Sequence, residues 1–479
     1  MKILLASSEI HPYSKTGGLA DMVGALGKAL ARAGHKVGLV TPLYGGIRER
    51  FAGIRPLDWK LDVALGPRRV SGAVCALALN ERLTIYFIDQ PDFYSRPSLY
   101  QDGDVDYPDN AERFIFFSKA VVHLIPLLSW EPEVVHLHDW QAGLVPLLLK
   151  REKPPAAPRT CVTIHNLAYQ GVFPRSKYPL TNLPWDYFNM NGVEFYGHLN
   201  CLKAGIGYAD VITAVSPRYA REITTPEFGF GLDGLLRQRQ RVLFGILNGV
   251  DYEEWNTINN PFLRHPYSAG DLSGKTAGKL ELQREFGLPI DERIPLFGSI
   301  TRLVDQKGVD IQLGALEEMI GANLQFVLLG SGVKAYERAY RNLANRFPSK
   351  IAVQFGYDQG LSHRIEAGCD FFLMPSRYEP CGLSQMYSLR YGTLPIVRIT
   401  GGLDDTVVDI AEDQEKADGI KFAEYSSPAL AKSIRKALAL YAEPELLRRY
   451  QLNGMAADFS WDRTAQQYVK VYEQAQKSA

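Results

Sequence analysis

Residues 2–42 read KILLASSEIHPYSKTGGLADMVGALGKALARAGHKVGLVTP. An apolar run of strand length, KILLASS, leads into a loop with paired glycines, then into the stretch ADMVGALGKALARAG and a second apolar run, KVGLVTP. Short apolar runs alternating with helical periodicity are the pattern of a parallel sheet covered on both faces. Gly34 supplies the helix stop. The segment is predicted to be a β-α-β unit, and the fold follows from how often that unit recurs.

Further strand candidates are LTIYFID (83–89), EVVHLHD (133–139), TCVTIHN (160–166) and DVITAVS (210–216), each followed by a polar or Gly/Pro-containing loop. After the polar stretch 257–278 the pattern restarts with IPLFGSI (294–300), then LQFVLLGSG (324–332), IAVQFGY (351–357), CDFFLMPS (369–376) and TLPIVRITGG (393–402). The expected fold class is α/β, with two Rossmann-like doubly wound domains facing across a cleft, residues 1–245 and 246–459. A chain of 479 residues suits two such domains.

Composition narrows the function. The chain carries 53 basic and 53 acidic side chains, 46% hydrophobic and 22% charged residues. That balance is typical of a soluble globular protein and argues against nucleic acid as the main partner, which would call for a broad basic surface. The five cysteines, Cys75, Cys161, Cys201, Cys369 and Cys381, are scattered without a C-x-x-C pair, so neither a disulfide framework nor a zinc ribbon is indicated. With no apolar signal core at the start and no apolar run of membrane length, a cytoplasmic location and no membrane partner are expected.

In open α/β sheets ligands bind outside the carboxyl ends of the strands, so polar residues just beyond each strand are the candidates. After the first strand come Lys15, Gly17 and Gly18, a cation and two residues permitting positive φ and close backbone approach at a helix N-terminus. The lysine precedes the glycines, so the loop matches neither G-x-x-x-x-G-K-[ST] nor G-x-G-x-x-G. After the strand 294–300, Arg302 and Lys307 flank a loop in SITRLVDQKG and suit a diphosphate, one as a fork and one as a point charge.

The stretch PSRYEPCGLSQMYSLRYGTLPIVRITGGLDDTV (375–407) places Glu379 in a loop, a helix opening near Cys381 and Gly382, and a second glycine turn at Gly401 and Gly402. Two helix starts beside Arg302 and Lys307 make a diphosphate site, with Glu379 available for sugar hydroxyls. Asp139 and His165 end their strands and face the expected cleft. His136 and His138 share one strand face, Asp139 points to the other, and no carboxylate-histidine cluster completes a metal site. The acidic run DGDVDYPDN (102–110) lacks the sixth-position glycine of a calcium loop and has Arg113 in place of its final glutamate. No metal and no cofactor are expected, and no G-x-S-x-G elbow indicates a hydrolytic triad.

Taken in order, KTGGLADM, HLHDWQAGLVPLLLK, HNLAYQG, VSPRYAREI, GILNGVD, TRLVDQKGVD, PSRYEPCGLSQMYSLRYGTLPIVRITGGLDDTV and FSWDRTAQQYVKVY resemble the bacterial glycogen synthases across nearly the whole chain. The resemblance implies a GT-B fold and a retaining α-1,4-glucosyltransferase that moves glucose from ADP-glucose to the non-reducing end of glycogen or another α-1,4-glucan. It implies catalytic roles for His165, Glu379, Arg302 and Lys307. Substrate contacts are implied for Lys15, Gly17, Gly18, Asp21, Asp139, Asn248, Tyr357, Cys381, Gly382, Gly401 and Gly402, with Tyr357 packing on adenine and Asp21 organising the lysine loop. The second position of the wider two-glutamate motif is Tyr387. By the same resemblance a terminal helix, 460–479, packs back on the first domain, and the domains close during reaction. The competing readings are a related retaining transferase using UDP-glucose and a non-catalytic glucan-binding protein, which would not need Lys15, Arg302, Lys307 and Glu379 together.

Overall fold

The computed structural model describes residues 1–103, 105–152 and 157–477. Asp104 of the acidic run and residues 478–479 of the expected terminal helix lie outside them. The chain divides into two compact units, Met1–Gly249 together with the chain from Trp461 onward, and Val250–Ser460.

The opening segment folds as β1 (Lys2–Ala6), helix α1 (Gly18–Arg32) and β2 (Lys36–Pro42). Both strands are buried along all but their first residue, as strands covered on two faces must be. Helix α1 buries Ala20, Met22, Val23, Leu26, Ala29 and Leu30. Past its end Gly34 turns the chain at φ +91, a conformation that glycine adopts without a Cβ clash.

The first unit continues with β3 (Arg55–Leu65), β4 (Arg68–Ala78), β5 (Leu83–Asp89), β6 (Val134–His138), β7 (Arg159–Ile164), β8 (Val211–Ala214) and β9 (Leu243–Gly245). Their order across the sheet is β9-β8-β7-β6-β1-β2-β5-β4-β3. The pairs from β9 to β5 are parallel, while β4 runs antiparallel to both β3 and β5. The apolar-run reading missed this β3–β4 extension. Its residues alternate buried and exposed along much of their length, the pattern of a sheet covered on one face.

The second unit has a six-stranded parallel sheet of β10 (Leu296–Leu303), β11 (Gln325–Gly332), β12 (Ile351–Phe355), β13 (Phe371–Met374), β14 (Leu394–Arg398) and β15 (Ile420–Phe422), in the order β12-β11-β10-β13-β14-β15. Phe297, Phe326, Leu328, Phe371 and Ile396 form its core. Helices α2 (Ser384–Arg390) and α3 (Gly401–Thr406) follow β13 and β14.

The terminal helix α4 (Trp461–Lys477) belongs to the first unit. Its Tyr472 hydroxyl lies 2.8 Å from His136 Nδ1 on β6, its Thr464 hydroxyl donates to the Leu247 carbonyl at 3.1 Å, and Asp462 pairs with Arg32 of α1. All five cysteines are buried and free. No described helix is long and apolar enough to cross a membrane.

His136 and Tyr472 are fully buried, so each relies on the other for a hydrogen bond. Tyr472→Phe is expected to leave His136 Nδ1 unsatisfied and to cost about 1–3 kcal/mol in urea-induced unfolding. An unchanged midpoint would show that the helix does not depend on this contact.

Candidate functional site

In the first unit the functional side chains emerge from the carboxyl ends of three neighbouring strands. β1 is flanked by β6 and β6 by β7, so the residues after them converge. Beyond β1 lie buried Ser7, Ser8 and Glu9, then the lysine loop. Lys15 Nζ lies 2.8 Å from Asp21 Oδ1, and His11 Nδ1 stands 3.8 Å from the same oxygen. Asp21 thus pairs with the lysine of its own loop. Gly17, where the sequence permits positive φ, has an extended backbone, φ −161, and a Cβ there would meet nothing within 4 Å. The space beside it, where α1 begins at Gly18, is open.

Asp139 follows β6 in a conformation rare for a residue with a side chain, φ +55 and ψ −167. Such a residue costs free energy to hold, and its neighbours must fix it. Here its Oδ1 accepts the His165 N–H at 2.8 Å. Burial raises the Asp139 carboxyl to about 7; the backbone N–H groups of His165 and Asn166 oppose the rise, and the nearby Glu9 carboxylate adds to it.

His165 Nε2 is 3.1 Å from His138 Nδ1. Burial lowers His165 and His136 to about 3 and holds His138 well below the usual histidine range. All three imidazoles are neutral near pH 7, suited to hydrogen bonding rather than to supplying positive charge. Asn248 lies three residues past β9, buried, with Oδ1 lacking a protein partner. A buried amide oxygen left unpaired costs free energy and fits a place where a ligand donates.

In the second unit β13 pairs with β10, which brings the segment after Leu303 against the segment after Met374. Lys307 Nζ lies 2.6 Å from Glu379 Oε2, and the Ser376 hydroxyl donates to the same oxygen at 2.9 Å. The two segments are stitched by Arg377 N–H to the Gln306 carbonyl, 2.8 Å, and by Gln306 Nε2 to the Tyr378 carbonyl, 3.3 Å. Glycine is required at two contacts. Gly308, φ +69, lies so close to the Pro375 carbonyl that a Cβ would collide with it, and Gly401, φ +43, stands likewise against the Glu379 carbonyl.

The Gly402 N–H bonds to the Glu379 and Pro380 carbonyls, at 3.1 and 3.2 Å, so this glycine turn clamps the glutamate loop. Cys381 is buried within that loop and Gly382 turns it at φ +72. The helix expected near Gly382 begins at Ser384. Strand β10 runs to Leu303, so Arg302 sits on the strand, not in the loop after it, and is exposed, while Lys307 ends a short 3-10 turn. Tyr357, two residues past β12, is 80% exposed.

Among the described residues no group of His, Cys, Asp and Glu could hold a metal ion. Sequence reasoning treated His138 as structural and did not single out Glu9. The signal for Glu9 was present: an acidic residue three positions past the first strand, at its carboxyl end.

Comparison with known proteins adds an independent line. Residues 2–238 match the family model described as the starch synthase catalytic domain, and residues 283–454 match glycosyl transferases group 1. A glycogen synthase of Anaeromyxobacter sp. (strain Fw109-5) is 49% identical over 98% of this chain and 99% of that protein. One from Koribacter versatilis (strain Ellin345) is 45% identical over 100% and 99%. The catalytic domain of starch synthase IV from Arabidopsis thaliana, solved with ADP and acarbose, superposes with TM-score 0.88 at 34% identity over 99% of each chain.

The raised Asp139 carboxyl makes a signed prediction. A group protonated more tightly in the folded state than its ordinary value of 3.8 weakens folding as pH rises from there through about 7. Asp139→Asn removes that loss. Its stability minus that of the parent is expected to increase between pH 5 and pH 7.5 in urea titrations, and a constant difference would contradict the buried-carboxyl assignment.

Proposed function

This chain belongs to the glycogen and starch synthase family of glycosyltransferases, and from that membership we propose that it transfers glucose from ADP-glucose to the non-reducing end of glycogen or another α-1,4-glucan, releasing ADP. Its two α/β units are those of the GT-B fold. The related starch synthase was solved with ADP and with acarbose, which supports a nucleotide and a glucan as this chain's ligands.

The observation that carries the reading is the Lys307–Glu379 pair, 2.6 Å apart, on the same sheet edge as Arg302. A nucleotide diphosphate needs cations fixed where negative charge grows as the sugar bond breaks. Arg302 and Lys307 supply them. Glu379, held by Lys307 and Ser376, is a fixed acceptor for sugar hydroxyls. Within the first unit, Lys15 is a further cation. Neutral His165 and the Asp139 carboxyl serve as hydrogen-bonding groups for the sugar.

Transfer proceeds with retention at the anomeric carbon. The bond from C1 to the phosphate oxygen breaks, a bond from C1 to the acceptor O4 forms on the same face, and the O4 proton passes to the departing phosphate oxygen. No metal ion enters this scheme, because the cations belong to the protein.

The test is transfer of labelled glucose to glycogen from ADP-glucose and from UDP-glucose, with a chelator present. Transfer from ADP-glucose that survives chelation is expected, with the new linkage α by NMR. Failure with both donors overturns the reading, and dependence on added metal overturns the metal-free scheme. Lys307→Ala should lower kcat by about 10²–10³-fold while retention on a glycogen affinity gel persists; full activity in that variant would remove the lysine from the mechanism.

A further inference from the structure

We propose that Glu9 is a positioning residue of the transfer, a buried carboxylate that fixes the Lys15–Gly17 loop against the carboxyl end of β1; the proposal rests on the transferase reading above. Glu9 is 3% exposed, and among the described residues no cation pairs with it. A carboxylate buried without a cation is costly unless hydrogen-bond donors surround it. Three do. The Thr16 backbone N–H reaches Oε2 at 2.5 Å, and the Thr16 and Tyr100 hydroxyls reach Oε1, each at 2.6 Å.

The arrangement explains why a carboxylate stands here. One residue, Thr16, is gripped through both its backbone and its side chain, which fixes the peptide adjoining Lys15. The two carboxylate oxygens divide the donors, Oε2 taking the Thr16 N–H and Oε1 the two hydroxyls. Tyr100 extends the clamp, since its hydroxyl is also 2.7 Å from the buried Ser8 hydroxyl. The Tyr100 phenol is held well above its ordinary value by burial first and then by Glu9, so it stays protonated and donates.

Glu9 also acts electrostatically on a second functional group. Its charge is one of the causes that raise Asp139, alongside burial and against the His165 and Asn166 N–H groups. Tyr44 and Tyr100 are the other titratable groups that feel Glu9, and both remain neutral across the working pH range. Thus one carboxylate sets the geometry of the lysine loop and favours the proton on Asp139. Glu9 itself touches no substrate in this scheme.

A double-variant cycle on the full-length protein tests the idea. Glu9→Gln keeps the side chain's shape but removes its charge and turns one of its two acceptors into a donor. It is expected to lower kcat by about 10- to 100-fold, the scale of an ångström-sized misplacement, with KM for glycogen unchanged. In a Lys15→Ala background the same change should cost less than about threefold, because the group it positions is gone. The kcat pH profile should also move its ionisation near neutrality to lower pH, as the charge beside Asp139 is removed.

Full multiplicative losses in the double variant, or parental kcat in Glu9→Gln, would overturn the proposal. Should Glu9→Gln fail to fold, Thr16→Val at an exposed position replaces it, with a smaller loss in kcat, about 3- to 10-fold, that likewise vanishes without Lys15. A loss that persists without Lys15 would overturn the proposal equally. Absence of transferase activity in the parent would sink the underlying reading, whereas an active parent with additive variants sinks only the role of Glu9.

Discussion

Parallel pairing is the constraint on which the rest depends. A parallel sheet delivers the carboxyl ends of its strands to one edge, so strands that are neighbours in the sheet present neighbouring loops however far apart they are in sequence. In the first unit the neighbours β1, β6 and β7 bring Glu9, Asp139 and His165 together. In the second, the neighbours β10, β13 and β14 bring together Lys307, Glu379 and Gly401. The glycines then let backbone approach backbone closely enough for the glutamate loop to be clamped from both sides.

The two units provide different electrostatic environments. The second unit presents full charges, with Lys307 paired to Glu379 and Arg302 exposed beside them, as a diphosphate needs. The first unit holds imidazoles that burial keeps neutral and a carboxyl that burial raises to about 7. Such groups exchange hydrogen bonds with sugar hydroxyls without the desolvation cost of bare charges. The strained backbone at Asp139 is held by the bond to the His165 N–H, so the two residues are positioned as one.

Much of this was legible in the sequence because apolar runs and their polar ends are local signals. The β-α-β start, the second series of strands, and the candidates Lys307, Glu379, Asp139 and His165 all follow from reading what stands just beyond each strand. The antiparallel β3–β4 extension was not legible that way, since its residues alternate and do not form a continuous apolar run. Arg302 was expected after the strand because the apolar run ends at Ile300, whereas the strand continues through Thr301, Arg302 and Leu303. Gly17 is extended, so the positive φ that paired glycines permit is not used there. Glu9 was missed because its partners, Thr16 and Tyr100, are set by the fold; Tyr100 lies 91 residues away.

The division of labour between a charged nucleotide site and a neutral sugar site is the central claim, and calorimetric titration of ADP tests it most directly. Parent, Lys307→Ala and His165→Ala proteins should all be measured at one ionic strength. The account predicts that Lys307→Ala weakens ADP binding by about tenfold or more, the worth of one charge-assisted contact, while His165→Ala leaves it within about twofold of the parent. Equal weakening by both variants, or none by Lys307→Ala, would contradict it.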